Sequence, residues 1–109
     1  MKSDTPLVCS MDVFTHSERE DHMQRTAQLY RSVQEIREHE NGFEFVFPNE
    51  SKIIRELAEF ISNERLCCPF LKFTLEVAPD KEPILLQISG PDGTKEFLQA
   101  EFHAAFASG

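Results

Sequence analysis

Two cysteines stand side by side in the segment Glu64-Arg65-Leu66-Cys67-Cys68-Pro69-Phe70. Thiols are soft, redox-active groups, and adjacent ones can share a metal, a metalloid or an oxidant. Pro69 biases Cys68 toward extended backbone, which predicts Cys67 in the last turn of a helix and Cys68 at its exit. Consecutive residues inside a regular helix point about 100° apart and do not easily grip one ion. A change of direction at Cys68 lets the two sulfurs converge into one accessible pocket. Glu64, three residues before Cys67 and four before Cys68, brings a carboxylate to the same neighbourhood.

The sign of the surroundings separates two uses of these thiols. A helix C-terminus carries partial negative charge and Glu64 adds more, so both disfavour a thiolate nucleophile. Arg65 is the only cation close in sequence. A bound cation reverses the balance, because coordination deprotonates the thiols and gains from negative neighbours. The candidate ligands are therefore Cys67 and Cys68, with Cys9 as a third sulfur if its strand lies beside the chain leaving Phe70, and with Glu64 or a histidine filling a remaining position. Zinc, copper(I), mercury(II) and arsenic(III) are the ions such donors suit. The competing account is that the cysteines are small core hydrophobes that complete a helix stripe beneath Phe70.

Other residues offer less. His16 and His22 are six positions apart on a first helix, on different faces, and read as solvated side chains. His39 faces Glu44 across a hairpin, and His103 sits near the end of the last helix. Glu18, Glu20 and Asp21 cluster where a helix start welcomes acids. Gly90-Pro91-Asp92-Gly93 places backbone amides at a helix start but lacks the Lys-Ser/Thr ending of a phosphate loop, and Asp92 repels phosphate.

The chain that must position these groups has 109 residues and a formal net charge of -8, with ten Phe, no Trp and one Tyr. That length bounds it to a single domain, residues 1–109, with one modest core. The acidic balance argues against nucleic acid and anionic membrane surfaces as partners. No segment reads as a transmembrane span or signal peptide, and an odd cysteine count suits a reducing compartment, so cytoplasm is the expected location, with each cysteine a thiol.

Alternation over Leu7 to Val13 predicts a short first strand. Thr15 and Glu18 have capping-box spacing and predict a helix over about 16–30, with a mildly apolar face of Arg19, Met23, Ala27 and Tyr30. Asn41-Gly42 predicts a two-residue hairpin turn that sets Ile36 opposite Phe47 and aligns Phe43, Phe45 and Phe47 on one face. Charges over Val33 to Glu40 suit an edge strand. Asn49 or Ser51 caps a second helix running through Cys67, whose stripe is Ile53, Ile54, Leu57, Phe60 and Ile61. Two alternating segments, one with Phe73, Leu75 and Val77 and one with Ile84, Leu86 and Ile88, predict a second hairpin. A last helix opens at Pro91 and buries Leu98, Phe102, Ala105 and Phe106. The fold class is α+β: an antiparallel sheet of four or five strands from two hairpins, with two or three helices mainly on one face.

The run Glu64-Arg65-Leu66-Cys67-Cys68-Pro69-Phe70, followed by Phe73 and by Gly90-Pro91-Asp92-Gly93-Thr94-Lys95-Glu96-Phe97, resembles a family of small uncharacterised bacterial proteins. The likeness covers the C-terminal half best and reaches back through Asn41-Gly42 to Cys9. It implies a bacterial origin and a stand-alone cytoplasmic domain, and it carries over no catalytic residue. The leading functional expectation is a protein that binds a soft metal or metalloid ion. Its rival is a non-catalytic structural or interaction module, such as a homodimer using the charged edge strand or an uncovered face of the Phe43–Phe47 strand. A thiol-dependent enzyme is the third.

Overall fold

A computed structural model of the protein describes residues 13–102. The predicted first strand as far as residue 12, with Cys9 in it, and His103, Ala105 and Phe106 lie outside the described residues, whereas Val13 at the end of that segment is in a short 3-10 turn. The elements are α1 (His16–Ser32), β1 (Glu35–His39), β2 (Gly42–Phe47), α2 (Ser51–Cys67), β3 (Lys72–Glu76), β4 (Ile84–Ser89) and α3 (Thr94–Glu101). The fold is α+β, with two hairpins forming one antiparallel sheet in the order β1-β2-β4-β3. No helix among the described residues is long and apolar enough to cross a membrane.

Alternation along the strands builds a single core. Phe45, Leu86 and Leu75 are register partners across three strands, as are Phe43, Ile88 and Phe73. These side chains form one apolar cluster with Leu29 of α1, with Ile53, Leu57 and Phe60 of α2, and with Leu98 beside Phe102. The opposite face carries Glu35, Arg37, Glu44, Gln87, Thr74 and Lys72, with Val46 and Leu85 as its apolar members. The aromatic face of β2 is thus covered: Phe43, Phe45 and Phe47 are buried. An aromatic docking face is absent there, and β1 remains as a charged edge.

Several local expectations shift. The first hairpin turns at Glu40-Asn41, so Ile36 pairs with Phe45, two residues from the predicted register. Because strand faces repeat every two residues, the inward set is preserved. Gly42 belongs to β2 and has ordinary negative φ; its missing Cβ is needed because one would run into the Ile88 carbonyl of β4. Asn49 does not cap α2 but donates from Nδ2 to the Glu82 carbonyl at 2.7 Å, tying the α2 entry to the second hairpin loop. Gly90-Pro91-Asp92-Gly93 forms a turn rather than the first helical turn. Thr94 Oγ1 donates to the Pro91 carbonyl, and Gly93 enters α3 at φ 94°, where glycine carries no steric cost.

The start of α1 follows its sequence signal. Glu18 N–H donates to Thr15 Oγ1 at 3.2 Å, and Thr15 N–H donates to Glu18 Oε1 at 2.8 Å. This reciprocal cap fixes where α1 begins. The buried side chains are His22, Thr26 and Leu29, one helical step from the predicted face, while Met23 is exposed.

Candidate metal centre

The buried stripe of α2 runs Ile53, Leu57, Phe60, Glu64 and Cys67 at helical spacing. Four of these are apolar or thiol-bearing, and Glu64 is a carboxylate only 2% exposed. An isolated buried charge costs several kcal/mol, so such a group requires partners. Glu64 Oε1 meets His22 Nε2 at 2.8 Å. His22 is itself 4% exposed and lies between the rings of Phe14 and Phe60, with centroids 5.5 and 5.8 Å away. Thr26 Oγ1 donates to the His22 carbonyl one turn back along α1. The other ring nitrogen, His22 Nδ1, is buried with no hydrogen-bond partner among the described residues.

The thiols close the other side of the carboxylate. α2 ends where Pro69 requires: Cys67 is its last residue, and the Cys68 N–H donates to the Glu64 carbonyl at 2.8 Å. Cys68 leaves helical geometry at φ -126°, ψ 71°. That break brings the two Sγ atoms to 3.7 Å, the convergence expected from the proline junction. Cys67 Sγ lies 3.8 Å from Glu64 Oε1, and Cys68 Sγ lies 3.5 Å from Oε2. The expected accessible pocket is not formed, since Cys67 and Cys68 are 1% and 0% exposed. Leu71 turns back to bond the Cys68 carbonyl and helps seal the junction. Cys67 is a free thiol, whereas Cys68 is disulfide-bonded, which overturns the expectation that every cysteine is a thiol.

Ligand atoms of His22, Glu64 and Cys67 lie within 4.8 Å of one another, and so do those of Glu64, Cys68 and Glu101. Of the ligands expected from sequence, Cys67, Cys68 and Glu64 are therefore brought together, and Cys9 is outside the described residues. His22, read from sequence as a solvated side chain, is instead buried against Glu64, and Glu101 was not among the expected ligands. A signal for His22 exists: His22, Thr26, Leu29 and Val33 follow helical spacing and join Leu29, the one large aliphatic of α1, to Val33 at its C-cap. Glu101 sits one residue before buried Phe102, at the end of α3, and nothing local distinguishes it from the other acids.

The electrostatics agree in sign with the sequence argument. Burial, then the charge of Glu64 and of Glu101, pushes the Cys67 thiol from 9.0 up to about 12. Desolvation and the neighbouring Glu64 raise the Glu101 carboxyl from 4.5 to about 7, partly offset by His22. Although Glu101 is exposed as a residue, its carboxyl hydrogen-bonds to that of Glu64. The same burial and acids raise Tyr30, whose hydroxyl reaches the Glu101 carbonyl at 3.4 Å and joins α1 to α3. A sealed thiol held this far from ionisation is a poor nucleophile at neutral pH. As a cation ligand it is well placed, because a positive ion relieves the crowding of negative groups.

Two other features compete weakly for function. An apolar cavity of about 20 Å³ between α1, α2 and the sheet, lined in part by Leu29, Phe45 and Phe60, has room for roughly one water and no polar group to hold it. A shallow polar depression of about 410 Å³ includes His39, Asn41, Lys72 and Gln87. There His39 is already engaged by Glu44 at 2.9 Å, the cross-hairpin pairing expected from sequence.

No family model matches the chain, and no curated protein or solved structure matches it.

Proposed function

We propose that this protein is a small metal-binding domain that takes one thiophilic or borderline cation at His22, Glu64 and Cys67. The observation that carries the reading is the placement of a carboxylate, an imidazole and a free thiol within 4.8 Å of one another inside an otherwise apolar core. Imidazole nitrogen, carboxylate oxygen and thiolate sulfur are the donors that zinc and similar ions take from proteins. Cys68, whose sulfur is already in a disulfide, is left out of that ligand set but stays against it. The role is binding rather than catalysis, because the sealed, high-pKa thiol suits coordination and not nucleophilic attack. In this reading the charge of -8 keeps the protein off nucleic acid.

The test is equilibrium binding of zinc to the metal-free protein. Uptake of about one equivalent per chain is expected, with affinity that rises with pH because the thiol must lose its proton. Cys67→Ser and Glu64→Gln should each weaken it by at least about tenfold, in line with the cost of disturbing a metal's ligand environment. Unchanged affinity in both variants would end the proposal.

A further inference from the structure

The three ligands just assigned are sealed, yet an ion must reach them and zinc-like ions take four donors. Among the described residues, Glu101 is the one acid grouped with the cluster that also faces solvent. Its carboxylate is within 4.8 Å of the Glu64 carboxylate and of Cys68 Sγ, and it bonds to Glu64. It therefore stands one group further out than the His22–Glu64–Cys67 set, on the end of a different helix.

We propose, resting on the metal-binding reading above, that Glu101 is the entry-side fourth ligand and that the site selects a borderline divalent cation of the zinc class over purely thiophilic ions. The chemistry of the donor set carries the selectivity: one nitrogen, two carboxylates and a single thiolate match a borderline divalent ion. Arsenic(III), mercury(II) and copper(I) gain most from two or three thiolates, which this set does not supply. The Glu64 and Glu101 carboxyl groups already meet in a hydrogen bond, so a divalent ion held by Glu64 lies within reach of Glu101 swinging inward from its exposed position. Closure would then join α1 through His22, α2 through Glu64 and Cys67, and α3 through Glu101.

The experiment is cobalt(II) titration of the metal-free full chain by absorption spectroscopy, followed by competition with zinc and with arsenite, for the wild type, Glu101→Gln and Cys67→Ser. Circular dichroism confirms that each variant folds. In the wild type, a thiolate-to-cobalt charge-transfer band should grow with the ligand-field bands, and zinc but not arsenite should erase both. Glu101→Gln should keep the charge-transfer band, change the ligand-field bands and lose at least about tenfold in zinc affinity. If Glu101→Gln matches the wild type in ligand-field spectrum and zinc affinity, Glu101 is not a ligand although the site stands. Displacement by arsenite as readily as by zinc overturns the selectivity. If the wild type takes up no cobalt, or if Cys67→Ser gives the same charge-transfer band, the metal-binding reading itself fails.

Discussion

His22 Nε2 and Glu64 Oε1 are 2.8 Å apart although 42 residues separate them in the chain, and both side chains are almost wholly buried. This bond ties α1 to α2 beside the rings of Phe14 and Phe60. Removing one partner leaves the other buried without it, the costly half of the hydrogen-bond asymmetry. Glu64→Ala and His22→Ala should each destabilise the metal-free protein by about 3–5 kcal/mol. The double replacement His22→Leu with Glu64→Leu should cost much less than the sum of the two, because neither orphan remains. Denaturant unfolding of the three variants measures it, and additive single effects would mean that the pair is not coupled.

Cys67 should resist alkylation in the native state. A thiol at about 12 rather than 9.0 holds about a thousandfold less thiolate at pH 8, and enclosure lowers its reactivity further. The rate of iodoacetamide labelling should keep rising past pH 10 instead of levelling near 9. Labelling of native protein at the rate of an exposed cysteine would contradict the placement of this thiol.

The same cluster makes stability depend on pH in a definite direction. The Glu101 carboxyl binds its proton up to about pH 7 in the folded state and only to 4.5 when unfolded, so between these values the native form holds more protons. The stability from this group is complete below 4.5 and falls as pH rises through 7. The metal-free protein should therefore melt at a lower temperature at pH 8 than at pH 5.5, and Glu101→Gln should flatten the difference. Partial solvent exposure keeps the effect modest. A wild-type protein that gains stability from pH 5.5 to 8, with no change in Glu101→Gln, would contradict the assignment.

The fold was legible where periodicity and turn chemistry act locally. The capping box at Thr15 and Glu18, the alternation of β2 and β4, and the break before Pro69 each give their element directly. The hairpin register was not, because Gly42 is demanded by the Ile88 carbonyl of β4 rather than by its own turn, and that strand is distant in sequence. In the site, Cys67, Cys68 and Glu64 were visible as neighbours on one helix, whereas His22 and Glu101 arrive from other helices by tertiary packing. α1 also offers few strong apolar residues, and its buried side carries His22 and Thr26 beside Leu29. Propensity alone does not contain that information.

The cap of α1 gives a stability test away from the cluster. Thr15→Ala removes the acceptor for the Glu18 N–H and should cost about 1 kcal/mol. Because α1 carries His22, zinc affinity should fall only slightly, by fraying rather than by loss of a ligand. A loss of zinc affinity as large as that in Cys67→Ser would show that α1 is positioned chiefly by its first turn.

The most direct measurement is X-ray absorption at the zinc edge on the zinc-loaded full chain. A protein that binds through His22, Glu64 and Cys67 should show one sulfur scatterer at about 2.3 Å together with nitrogen and oxygen scatterers at about 2.0–2.1 Å. A shell of nitrogen and oxygen alone, or zinc lost entirely on dialysis, would contradict it.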